Sequence, residues 1–104
     1  MVLNSIVVLH LHSPKGKVWG MLVALNAAGI TIRGVDLTSF EELLREAAAG
    51  DEAAALSTHF YPMYRVERMS LDESRPDAPS HADRFLQRLG VTVQEFFHLE
   101  EAEQ

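Results

Sequence analysis

A chain of 104 residues, 47% hydrophobic and 23% charged, has apolar material for one modest core and little room for a second domain. Its formal charge of -6 argues against a binder that relies on bulk phosphate neutralisation, and the absence of cysteine excludes disulfides, thiolate zinc sites and a cysteine nucleophile. No stretch approaches the roughly 20 apolar residues of a spanning helix, and the apolar run over 6–11 is too short and lacks the basic leader of a signal peptide, so a soluble cytoplasmic protein with no membrane partner is expected.

Residues 5–12 alternate, with Val7, Leu9 and Leu11 on one face and Ile6, Val8, His10 and His12 on the other, which is strand periodicity. Ser13-Pro14-Lys15-Gly16 is turn chemistry, and a second strand is expected over Lys17 to Asn26. Asn26-Ala27-Ala28-Gly29 reverses the chain again before a third strand, Ile30 to Val35. These three segments read as an antiparallel meander.

The period then changes. Thr38 with Glu41, or Ser39 with Glu42, offers a capping box for a helix over 39–50, along which Phe40, Leu43, Leu44, Ala47 and Ala48 follow helical spacing and after which Gly50 supplies a left-handed stop. Asp51 to Ser57 is rich in alanine and reads as a helical turn or a loose connection. Strand character returns over Thr58 to Pro62 and again over Tyr64 to Leu71, with Pro62 at a bend or a strand start.

Residues 72–79 hold two prolines and several charges and read as a linker. Ser80 is placed to cap a helix carrying Phe85, Leu86 and Leu89 and ending at Gly90. Thr92 with Glu95 caps a second one bearing Val93, Phe96, Phe97 and Leu99. The acidic face of that second helix, with Glu95, Glu100 and Glu101, repels phosphate and speaks against a DNA-reading helix-turn-helix. The layout is therefore α+β: a β-barrel-like domain or sheet over 1–71 with one inserted helix, a linker, and a helical tail over 80–104.

Three strands followed by a later pair around Phe60-Tyr61-Pro62-Met63-Tyr64-Arg65-Val66-Glu67-Arg68-Met69 resemble the small SH3-like barrels, including the Sm-like family, over about residues 5–71. Gly20-Met21-Leu22-Val23-Ala24-Leu25-Asn26 is similar to the glycine, hydrophobic and aspartate/asparagine pattern of that family's first motif. The resemblance implies a small antiparallel barrel with oligomer-forming edges. Where the family carries an RNA-contacting asparagine this chain has Gly29-Ile30-Thr31-Ile32, so no site residue is carried over.

Constellations that carry chemistry are sparse. His10 and His12, two apart on one strand, could turn both imidazoles toward one ion with His59 joining from a later strand, yet a true site needs a third ligand held by further hydrogen bonds, and hydrogen-bonded or solvent-edge histidines account for the same residues. Ser39 and His59 lack a placed acid and an oxyanion hole. No spacing brings Asp36 to Asp72 or Glu73, and the glycines are too dispersed for a phosphate loop. No catalytic residue and no cofactor is therefore expected.

Aromatic and arginine side chains remain. Trp19, Tyr61, Tyr64, Arg65 and Arg68 on or beside strands, with Phe96 and Phe97 on the tail, form the mixture that anchors protein interfaces, although Trp19 and Tyr61 would serve equally as core. The leading expectation is a non-catalytic protein-interaction module, either a homo-oligomer or an accessory subunit of a larger complex. One alternative is an Sm-like RNA binder using Lys15, Lys17, Arg33, Arg65 and Arg68, and another is a metal or small-ligand binder at the three histidines. All acidic residues lie beyond Val35, so the first third of the chain carries only cations.

Overall fold

A computed structural model describes residues 2–50 and 56–102, with side chains as far as residue 97. The chain divides into two compact units, Met1–Leu71 and Asp72–Gln104. The alanine-rich connection lies largely outside the described residues.

The first unit is a five-stranded antiparallel sheet of β1 (Ile6–Leu11), β2 (Gly16–Asn26), β3 (Gly29–Asp36), β4 (Ser57–Pro62) and β5 (Val66–Leu71), in the order β4-β3-β2-β1-β5. The first three strands make the expected meander, and the β2–β3 reversal is locked by the Asn26 side-chain oxygen, which accepts the Ala28 amide at 2.8 Å. The last two strands also stand where expected, apart from a later start for β5. They do not pair with each other: β4 adds to β3, and β5 crosses to the far edge and adds to β1. A 3-10 turn, Met63–Arg65, separates them, so Tyr64 lies in that turn and β5 begins at Val66.

This connection dictates the shape of the sheet. Five flat strands at about 4.8 Å spacing would hold the edge strands about 19 Å apart. The four-residue step from Pro62 to Val66 spans at most about 14 Å. The sheet must therefore curl, yet it is not closed, because β4 and β5 share no ladder. The curl runs through Gly20 and Gly34, which face each other across β2 and β3. A Cβ on Gly20 would fall 2.6 Å from the Cα of Gly34, and one on Gly34 would fall 2.7 Å from the Cα of Gly20, so only paired glycines let the backbones approach this closely.

One face of the curled sheet gathers Val7, Leu9, Leu11, Val18, Leu22, Ile30 and Ile32 into a core cluster, with Tyr61, Val66 and Met69 packed against it. The opposite face carries Trp19, wholly buried, whose ring meets Phe40 edge-on at 5.1 Å. Phe40 opens α1 (Phe40–Ala48), and Leu43 and Leu44 complete its buried stripe. This helix starts where expected, with Ser39 as its N-cap, but its cap bonding differs. Neither capping box forms, because a 3-10 turn, Leu37–Ser39, precedes α1, and Asp36 caps that turn by accepting the Thr38 amide at 3.0 Å. Ser39 makes no side-chain cap bond. The stop is as expected, with Gly50 at φ 78° just past Ala49.

The second unit contains α2 (His81–Leu89) and α3 (Val93–Ala102). Ser80 caps α2 by accepting the Asp83 amide at 3.0 Å, Gly90 ends it at φ 74°, and the Thr92 hydroxyl accepts the Glu95 amide at 3.1 Å. The stretch 72–79 contributes directly to this unit: the Asp72 carboxylate accepts the amides of His81 at 3.0 Å and Ala82 at 2.8 Å. With Ser80 it occupies the first-turn donors that a helix otherwise leaves orphaned. Phe96 stands 5.1 Å from Phe85 and 6.1 Å from Phe97.

Candidate interaction surface

The 3-10 turn Met63–Arg65 is pinned on both sides. The Met63 amide donates to the Ala28 carbonyl at 2.9 Å, tying the turn to the β2–β3 reversal. On the other side the Arg65 guanidinium donates from Nε to the His12 carbonyl and from Nη2 to the Pro14 carbonyl, each at 2.9 Å, while the His12 amide donates to the Arg65 carbonyl at 3.0 Å. The backbone of this segment is thus held by the two hairpin turns that flank it.

A well-held segment presenting apolar side chains to water differs from a loose loop tip. Tyr64 is 75% exposed, Phe60 54% and Met63 37%, all on β4 or the turn that follows it. Phe60 lies against Gly29, where an added Cβ would come 2.7 Å from the ring Cζ, so the glycine leaves room for the phenyl group. Beside them runs the outer edge of β4, and among the described residues no strand covers it. Tyr61 alternates to the core face opposite Ile30; burial, and secondarily the Asp36 charge, raise its phenol above the ordinary tyrosine value, which keeps it neutral.

The expected anchors therefore separate. Tyr64 is outward-facing, Tyr61 is half-buried against the core cluster, and Trp19 is enclosed with no surface to offer. Arg65 is engaged with carbonyl groups of its own chain, and Arg68 is exposed on β5 opposite His10. In the second unit Phe97 is buried and Phe96 half-buried. Phe60 and Met63 were missed as surface residues. Alternation from Tyr61, half-buried on the core face, could have marked Phe60 as outward, whereas the exposure of Met63 depends on a 3-10 turn that periodicity does not register.

The three histidines do not converge. His10 stands opposite Lys17 and Arg68; His12 lies past the end of β1 near the Ser13 hydroxyl at 3.3 Å; His59 is three strands away on β4, on the other sheet face, with its Nε2 2.6 Å from the Ser57 hydroxyl. Among the described residues no three His, Cys, Asp or Glu side chains gather as metal ligands. Partial burial, followed by the Arg68 and Lys17 charges, lowers the His10 pKa below its ordinary 6.5, with Glu67 opposing. Of the cations considered for RNA, Lys17 and Arg68 flank His10 in one cross-strand row, Lys15 sits in the β1–β2 turn, and Arg33 is half-buried with Nη1 3.4 Å from the Thr58 hydroxyl.

The second unit holds an open hollow of about 330 Å³ lined by Asp72, Ser74, Ser80, Asp83, Thr92 and Val93 among others. Its polar groups largely satisfy one another, since Ser74 bonds both Asp83 and the Ser80 amide. No helix among the described residues is long and apolar enough to cross a membrane. No family model, curated protein or solved structure matches the chain.

Proposed function

We propose that this chain is a non-catalytic protein-interaction module whose contact surface is the β4 edge together with the turn Met63–Arg65. The observation that carries this reading is the exposure of Phe60, Met63 and Tyr64 on a segment held in place by hydrogen bonds on both flanks. Apolar side chains on a rigid backbone lose little conformational freedom when covered, which favours tight association. The strand order, and a 3-10 turn joining the two edge strands, support an SH3-like kinship of the first unit.

Light scattering behind a sizing column, at low and at high salt, tests the reading. Association by apolar burial persists at high salt. Tyr64→Ser combined with Met63→Ser should weaken it without loss of fold, and unchanged association in that double variant would remove the surface from consideration. The row Lys17, His10 and Arg68 favours RNA as a second reading. Binding of a single-stranded RNA that falls steeply with salt and is lost in Lys17→Glu would support it.

A further inference from the structure

The two sheet edges are not equivalent. On β5, Glu67 is the extra residue of a bulge, with Arg68 opposite His10 and Val66 opposite Leu11. A bulge and adjacent charges are devices that discourage edge pairing. On β4 the run Ser57-Thr58-His59-Phe60-Tyr61-Pro62 has no Asp, Glu, Lys or Arg and is rich in strand-forming residues. Among the described residues, the unprotected edge is the one bearing the exposed phenyl ring.

The hydrogen-bonding parity of β4 follows from its ladder. The Met63 amide bonds inward to Ala28, continuing the register in which Pro62 faces Gly29, Tyr61 faces Ile30 and His59 faces Ile32. Bonding residues alternate in an antiparallel pair. Ser57, His59 and Tyr61 therefore point their amides and carbonyls at β3, while Thr58, Phe60 and Pro62 point theirs outward. Proline has no amide hydrogen and fits the outward phase. The free row offers two donors, on Thr58 and Phe60, and the carbonyls of the same two residues, while the Pro62 carbonyl, at the N-cap of the turn Met63–Arg65, takes the first bond of that turn and has one lone pair left for the edge.

We propose that the occupant of this edge is a second copy of the chain, joined β4 to β4 in antiparallel register about a twofold axis through Phe60. This inference rests on the interaction-module reading. An antiparallel pair of identical strands is self-complementary about such an axis. Phe60 exchanges both backbone bonds with Phe60 of the other copy, and each Thr58 amide shares the second lone pair of the Pro62 carbonyl opposite, whose first is taken by its own 3-10 turn, so every outward donor is used and the prolines need only accept. The two exposed phenyl rings come side by side, and each His59 faces a Tyr61 on the other sheet face. A register centred on His59 would instead oppose the two imidazoles and set each Phe60 against Thr58. Because β4 carries none of the chain's formal charge of -6, two copies meet there without apposing like charges.

The absence of cysteine makes single-cysteine crosslinking clean. A hydrogen-bonded antiparallel pair holds its Cα atoms about 5.5 Å apart, within the range a disulfide spans. Under mild glutathione oxidation of the full chain, Phe60→Cys should yield a disulfide dimer, and Glu67→Cys, exposed on β5, should remain monomeric. In case loss of the phenyl ring weakens pairing, His59→Cys and Tyr61→Cys chains are mixed; heterodimers should exceed either homodimer several-fold. Thr58→Pro, with fold checked by circular dichroism, should leave a monomer by light scattering. A wild-type oligomer in which no β4 cysteine crosslinks, or in which Glu67→Cys does, overturns the β4 pairing while leaving the interaction module standing. A wild-type monomer at all concentrations overturns the self-pairing itself.

Discussion

The Arg65 guanidinium reaches back across the sequence to the Pro14 carbonyl, 2.9 Å from Nη2, and closes the turn between the two edge strands onto the first hairpin. Its Nε takes the His12 carbonyl at the same distance, so one planar fork holds both shoulders of the β1–β2 turn. Arg65→Ala should lower stability by about 1–3 kcal/mol, read as a shift in the urea midpoint at constant slope. Arg65→Lys should recover less than half of that, because an ammonium on a flexible stem does not reproduce the two-bond geometry. Full recovery by lysine would mean that charge alone, not the fork, holds the turn.

The facing glycines of β2 and β3 lead to a sharper expectation. Gly20→Ala or Gly34→Ala would push a methyl group into the partner strand's backbone, which cannot give way as a side-chain tip can. Each should cost about 3 kcal/mol or more, in the range reserved for steric conflict in a core. Gly16→Ala serves as the control, since its nearest neighbour would be the Leu11 side chain at 4.0 Å. Thermal melts of the three variants separate the cases, and a mild Gly20→Ala would show that the curl is made elsewhere.

Local patterns exposed much of this architecture. The alternation from Ile6 to Leu11, the Asn26–Gly29 reversal and the spacing of Phe40, Leu43 and Leu44 depend on near neighbours, and each element stands where they indicate. What alternation could not carry was partnership. The short connection after Pro62 suggests that β4 and β5 are neighbours, but the three-residue 3-10 turn sends β5 to β1, and only the curl makes that step possible. The helix start stands where the sequence indicates, with Ser39 as its N-cap, but the cap bond itself was not legible: a 3-10 turn precedes α1, Ser39 makes no side-chain cap bond, and Asp36 takes the Thr38 amide. For the surface, residue type flagged Tyr64 but also Trp19, because a large aromatic on a strand looks the same in sequence whether it faces α1 or water.

His10 ties stability to pH. Partial burial and the neighbouring Arg68 and Lys17 disfavour its protonated form in the folded chain, so its folded pKa lies below the ordinary 6.5. Between the two values the unfolded chain binds more protons, and stability rises with pH. The His10 contribution is thus fully present above 6.5 and is lost as pH falls through that value toward the folded pKa. His10→Gln should flatten this part of the stability profile between pH 7 and 5, measured by urea unfolding at each pH. An unchanged slope in the variant would assign the dependence to another group.

In the second unit, stability at the head of α2 turns on Asp72. Its carboxylate is 4% exposed and accepts the His81 and Ala82 amides, with the His81 Nδ1 3.4 Å away. An acceptor of two first-turn amides that also carries negative charge meets both the orphaned donors and the positive end of the helix dipole. Asp72→Asn keeps the shape but removes the charge and leaves one carbonyl oxygen where two carboxylate oxygens now accept; it should cost about 1–2 kcal/mol, with Asp72→Ala costing more. Ser80→Ala should remove about 1 kcal/mol through the Asp83 amide alone. Hydrogen exchange resolves these contributions, because Asp72→Ala should speed exchange at His81 and Ala82 while Ser80→Ala speeds it at Asp83. Uniform acceleration across all three amides in both variants would mean that the first turn opens as a unit and that neither side chain guards particular donors.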